Sequence, residues 1–126
     1  MKTNEWLSYF VEQHQAELVE RLEGEIKGRG FTPPAGTGAA LAAALEADFA
    51  QEAFTATPTV LAALATGLRA QDAGRAPDAL AKIWLKVEHL LGGYIAEEGE
   101  LSGGARRLAY LRLSEFGLRA RGVLAG

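Results

Sequence analysis

The sequence predicts an all-α protein, a compact bundle of about five helices forming a single domain over residues 1–126. Hydrophobic residues make up 48% of the chain, which is enough to form a core. The length of 126 residues suits one domain and is too short for two. No segment alternates β-branched and polar residues as a strand would. A long apolar stripe recurs at helical spacing, which indicates a core helix. Its members are Leu80, Ile83, Trp84, Val87, Leu90, Leu91, Tyr94 and Ile95.

The first predicted helix begins at a cap provided by Thr3 or Asn4 and runs to about Lys27, where Gly28 and Gly30 end it. Its apolar face contains Leu7, Val11, His14, Leu18 and Leu22, with Trp6 and Phe10 beside it. Residues 28–38 hold two glycines before two prolines and two glycines after them, so they predict a loop. This loop is either a binding edge or a strap that tucks Phe31 onto the core.

Three further helices follow. Thr37 is the predicted cap of an alanine-rich helix that continues to about Phe54. Thr57-Pro58 is a cap with proline in the first turn, and it opens the third helix. Pro77 opens the fourth helix, which carries the apolar stripe and is ended by Gly99.

The last predicted helix is capped by Ser102 and runs from Gly104 to about Leu124, with apolar residues on two sides. One side carries Ala105, Ala109, Leu113, Phe116, Ala120 and Val123, and the other carries Leu108, Leu111 and Leu118. A helix that is apolar on two sides is either central in its bundle or shared with a second subunit. Trp6 and Phe10 widen the apolar surface of the first helix in the same way. The sequence therefore predicts a homodimer with an interface formed by Trp6, Phe10, Leu108, Leu111 and Leu118, and burial within one chain is the alternative.

Charge and composition exclude several function classes. The net charge of −3 argues against a broad nucleic-acid surface, although residues 101–126 carry five arginines against Glu115 alone. The chain has no cysteine, so disulfides, thiolate catalysis and cysteine metal sites are excluded. No signal peptide and no membrane-length apolar run is present, so we expect a cytoplasmic protein that binds neither membrane nor nucleic acid.

No catalytic or metal-binding motif is convincing, and the sequence predicts a protein that is not an enzyme and needs no cofactor. The inward-facing Glu-x-x-His pattern of di-iron bundles fails, since the residues three before His14 and His89 are Val11 and Lys86. His89 falls on the solvent side of its helix. His14 lies in an apolar stripe, where it is either a structural histidine or a ligand for haem or another hydrophobic molecule. Gly36-Thr37-Gly38 is a helix-start loop rather than a phosphate cradle, because the lysine of such motifs is missing.

Three segments carry a family resemblance. The opening helix from Trp6 to Arg29 is rich in Glu and Leu, Leu68–Gly74 forms a turn, and Glu97–Leu113 contains a Gly-x-Leu-Ser turn before the last helix. In these features the chain resembles the N-terminal sensor domain of RsbR-type stressosome proteins. The resemblance implies a haem-free, globin-like helical domain that dimerises and transmits a signal through protein contacts in bacterial stress signalling. The expected function is therefore sensory or regulatory, with a carrier of haem or another small molecule as the alternative.

Overall fold

The computed structural model describes residues 3–126, which form six α-helices and no strand. They are α1 (Thr3–Gln13), α2 (Gln15–Gly28), α3 (Thr37–Gln51), α4 (Ala56–Gln71), α5 (Ala76–Glu97) and α6 (Gly103–Ala125). The all-α prediction is confirmed for this part of the chain. The count differs from five because the first predicted helix is divided in two. The predicted caps Thr3 and Asn4 lie outside the residues whose side chains are described.

The division between α1 and α2 falls at His14, whose backbone (φ −112°, ψ 20°) departs from helical values. Hydrogen bonds of helical spacing still flank it, because His14 N donates to Phe10 O (3.0 Å) and Leu18 N donates to His14 O (2.9 Å). One straight helix over both segments would be about 39 Å long, which exceeds the diameter of a small domain. On either side of the turn, α1 packs on α3, α5 and α6, while α2 packs on α3 and α5.

The core lies between α3 on one side and the α5–α6 pair on the other. The backbones of α1 and α4 each contact both α3 and α6, and so connect the two sides. Aromatic rings fill the space between them. The Phe116 ring lies 4.7 Å from that of Phe49, 5.0 Å from Phe54 and 6.3 Å from Trp84. The predicted stripe of α5 is buried here, apart from Leu90, which is half-buried.

The loop between α2 and α3 is a strap over the core. Phe31 is buried, and the Arg75 guanidinium lies 5.1 Å from the centre of its ring. The backbone of Thr32 makes two hydrogen bonds of 2.8 Å with the side-chain amide of Gln71. Of the two alternatives for this loop, the structure shows the strap with Phe31 packed on the core.

The start of α4 is capped by a residue of α3, Asp48, rather than by the predicted Thr57. The helix begins at Ala56, and Thr57 is a buried residue of its first turn. The Asp48 carboxylate accepts hydrogen bonds from the backbone N–H groups of Thr57 (2.8 Å), Ala56 (3.1 Å) and Thr55 (3.2 Å). Burial acts to raise the pKa of Asp48, but these hydrogen bonds outweigh it and hold the pKa below its ordinary value.

The start of α3 also differs in detail from the prediction. Gly36, in the left-handed region at φ 74°, is the N-cap, and Thr37 is the first residue of the helix. Gly38 lies against α2, where a Cβ atom would be 2.9 Å from Val19 Cγ1. The glycines of Gly36-Thr37-Gly38 thus serve a turn and a close helix contact.

Candidate functional site

The strongest candidate site is the side of α6 that points away from the core. At about 100° per residue, Leu111 and Leu118 lie nearly opposite Ala109, Phe116 and Ala120, and Leu108 lies about 100° from that group. The second group is buried, whereas the exposed fractions of the three leucines are 56%, 53% and 66%. Burial within one chain is thus excluded for these leucines.

The other two predicted interface residues belong to the core of the single chain. The exposed fractions of Trp6 and Phe10 are only 8% and 2%. Their rings pack against each other, with centres 5.6 Å apart. The placement of Trp6 and Phe10 at an interface is therefore wrong, because α1 turns both side chains inward against the rest of the bundle.

Arginines surround the three leucines. Arg107 and Arg119 are exposed and Arg112 is half-buried, and none of them takes part in an ion pair within residues 3–126. Glu115 is the one acidic residue of α6. We call the set of Leu108, Leu111, Leu118, Arg107, Arg112, Glu115 and Arg119 the outer face of α6. It combines exposed apolar surface with a net positive charge.

A shallow groove borders this face near the start of α6. Its volume is about 510 Å³, and its lining includes Arg107, Tyr110, Leu111 and Ser114. The Tyr110 hydroxyl lies 3.4 Å from the carbonyl oxygen of Gly92, which places the ring beside α5. The groove extends the apolar surface around Leu111 towards the N-terminal end of the helix.

Arg106 is not part of the outer face, although it is adjacent in sequence to Arg107. Its guanidinium donates to the carbonyl oxygens of Glu98 (2.8 Å), Ala96 (3.1 Å), Leu101 (3.1 Å) and Ile95. These carbonyls lie at or just beyond the end of α5, where helical partners are missing and the helix dipole attracts a cation. The sequence offers no signal for this role, because it depends on how α6 docks on α5.

His14 lies at the α1–α2 turn and is half-buried. Its imidazole stacks face to face on the Tyr94 ring, with centres 3.8 Å apart and planes within 7°. The Tyr94 hydroxyl donates to Glu17 Oε1 (2.8 Å), and burial together with this hydrogen bond raises the pKa of Tyr94 above its ordinary value. His14 thus joins α5 to the α1–α2 turn. A small cleft between α2, α3 and α5 has a volume of about 10 Å³, and His14 does not line it.

The other residues that the sequence singled out do not belong to the outer face of α6. His89 is exposed on α5, as predicted. Glu97 and Glu100 are exposed at the end of α5, and the Glu98 carboxylate accepts a hydrogen bond from the backbone of Glu100 (3.1 Å). Within residues 3–126 no group of three or more acidic or histidine side chains is arranged to hold a metal ion. Nor does any helix in this range combine the length and the apolar character needed to span a membrane.

No family model, characterised protein or solved structure matches this chain. The resemblance to RsbR-type sensor domains therefore stays a prediction.

Proposed function

We propose that this chain is a non-catalytic regulatory module that self-associates through the outer face of α6. One observation carries the proposal: three leucines on one side of a 23-residue helix are more than half exposed, away from the core. Contiguous exposed apolar surface bordered by charge is typical of protein-binding sites. The sensory role, the bacterial signalling context and the cytoplasmic location come from the sequence and its resemblance.

The strength of such a contact can be worked out from the leucines. Fully burying a leucine contributes about 1.5–3 kcal/mol, so the exposed half of each contributes about 1–1.5 kcal/mol. The three leucines together contribute about 3–5 kcal/mol, whereas the loss of translational and rotational freedom on association costs about 4–15 kcal/mol. The leucines alone therefore support at most a weak contact, and the arginines beside them must add to it. A weak, reversible contact suits a module that transmits a signal through helix packing.

Sedimentation velocity over a range of about 10 µM to 1 mM tests this proposal. We expect the wild-type chain to associate reversibly and Leu111→Gln or Leu118→Gln to raise the dissociation constant about tenfold, because each removes about 1.4 kcal/mol of apolar burial. Ala62→Gln, at an exposed position of α4, is the matched control and should behave as wild type. A wild-type chain that stays monomeric throughout, or leucine variants that associate as wild type does, would contradict the proposal.

A further inference from the structure

A second surface of the chain has the opposite charge to the outer face of α6. It is a groove of about 750 Å³ beside the turn between α1 and α2, lined by Glu12, Gln13, Gln15, Ala16, Val19, Glu20 and Glu23. We call it the α1–α2 groove. Glu12 and Glu20 are exposed, and neither forms an ion pair or side-chain hydrogen bond with another described residue. Val19, which packs against the core, and Ala16 provide an apolar floor.

Pairing of two α6 helices through their outer faces is unfavourable. Arg112 and Arg119 lie seven residues apart, so they fall on the same flank of the leucines. An α6-to-α6 contact would bring these flanks together with Glu115 alone to offset them. Like charges placed opposite each other across an interface weaken it and select against that partner. We therefore expect the outer face of α6 to bind an acidic surface in preference to the outer face of another α6 helix.

The two complementary surfaces do not meet within one chain, because no ion pair joins their charged residues and Glu12, Glu20, Arg107 and Arg119 are exposed. The backbone of α1 contacts α6, whereas that of α2 does not. Both surfaces are thus left for other molecules. Each combines apolar residues with charged ones, and the three glutamates of the groove match the three arginines of α6 in number and opposite sign.

We propose that the outer face of α6 of one copy packs into the α1–α2 groove of a second copy. This inference rests on the self-association proposed above and specifies which surfaces meet. Leu111 and Leu118 would lie over Ala16 and Val19, while the arginines approach the glutamates at the rim. The contact joins two unlike surfaces, and each copy carries one of each.

Charge reversal on each surface tests the pairing. The groove variant is Glu12→Lys with Glu20→Lys, and the helix variant is Arg112→Glu with Arg119→Glu. We expect each variant alone to raise the dissociation constant at least tenfold, because the reversal replaces attraction between the two surfaces with repulsion. An equimolar mixture of the two variants should restore association to within about threefold of wild type, because every contact between them is again complementary.

The matched control is Glu97→Lys with Glu100→Lys, which reverses two exposed glutamates away from both surfaces and should associate as wild type does. Wild-type association should also weaken about tenfold between low and high salt, because the charged rim is exposed. If the groove variant does not fold, as judged by circular dichroism, Glu12→Gln with Glu20→Gln replaces it and should raise the dissociation constant by a smaller factor.

The outcomes separate this inference from the proposed function. A groove variant that associates as wild type does, or a mixture that fails to associate, would overturn the pairing and leave self-association through α6 standing. A wild-type chain that sediments as a monomer at every concentration would overturn both.

Discussion

Removing the Asp48 carboxylate should destabilise the protein through the first turn of α4. Asp48 is 1% exposed and accepts three backbone N–H groups at the start of that helix. The N–H of Thr57, itself a fully buried residue, would lose its partner in Asp48→Ala, and an unpaired buried donor costs about 1–3 kcal/mol. Loss of the negative charge at a helix N-terminus adds about 0.5–1 kcal/mol. We expect a total of about 2–4 kcal/mol.

Urea unfolding at pH 7 measures this cost as a lower midpoint with an unchanged slope. Asp48→Asn should lose about half as much, because its amide oxygen still accepts but carries no charge. Glu46→Ala, on the same helix and without a hydrogen bond between described residues, is the control and should change stability by less than about 0.5 kcal/mol.

The pH dependence provides a second readout. Because the folded-state pKa of Asp48 is depressed, its contribution is fully present above the unfolded-state value of about 3.9. That contribution is lost as the pH falls through the folded-state pKa. The stability gap between wild type and Asp48→Asn should therefore be constant from pH 7 to about 5 and shrink below about pH 4. A stability difference between wild type and Asp48→Asn that stays unchanged down to pH 2 would contradict the role of Asp48 as the cap of α4. So would an Asp48→Ala variant that is as stable as wild type.

Three further predictions concern packing, capping and cofactor binding. Gly117→Ala should lower the stability by about 1 kcal/mol, because its Cβ would displace the Glu88 carboxylate. A Cβ at Gly24 meets open space, so Gly24→Ala should raise the stability by up to about 1 kcal/mol, and thermal melts measure both variants. Arg106→Lys should cost about 1–3 kcal/mol in urea unfolding, because lysine cannot bridge the carbonyls at the end of α5, and Arg107→Lys should cost almost nothing. Hemin added to the protein should produce no shift of the Soret band, and a shift that disappears in His14→Ala would instead support the carrier alternative.

The His14 turn shows where sequence periodicity stops being informative. Leu7, Val11, Leu18 and Leu22 are all buried, as the helical pattern predicts. The same pattern continues across His14 without interruption, so it predicts one helix where the structure has two. Hydrogen bonds of helical spacing flank the turn, and no glycine or proline marks it. Across this turn both helices pack on α3 and α5, but only α1 also contacts α6, which depends on how the helices dock.

The outer face of α6 was partly predictable. The periodicity places Leu108, Leu111 and Leu118 on a second apolar side, and it assigns them correctly as a group. It does not reveal whether another helix covers them. The same reasoning grouped Trp6 with these leucines, because a helix pattern alone cannot tell which of two apolar sides meets the core.

The order of residues was sufficient to determine the all-α class, the apolar sides of the helices and the Ser102 cap, whose side chain accepts the hydrogen bond of Ala105 N (3.1 Å). These features depend on residues within about one or two helical turns of each other, so they can be predicted from the local sequence. Only the tertiary structure assigned Asp48 to the start of α4, Arg106 to the end of α5 and the three leucines to the surface. Each of these depends on how helices dock, and docking is decided by the packing of the whole core rather than by any local pattern.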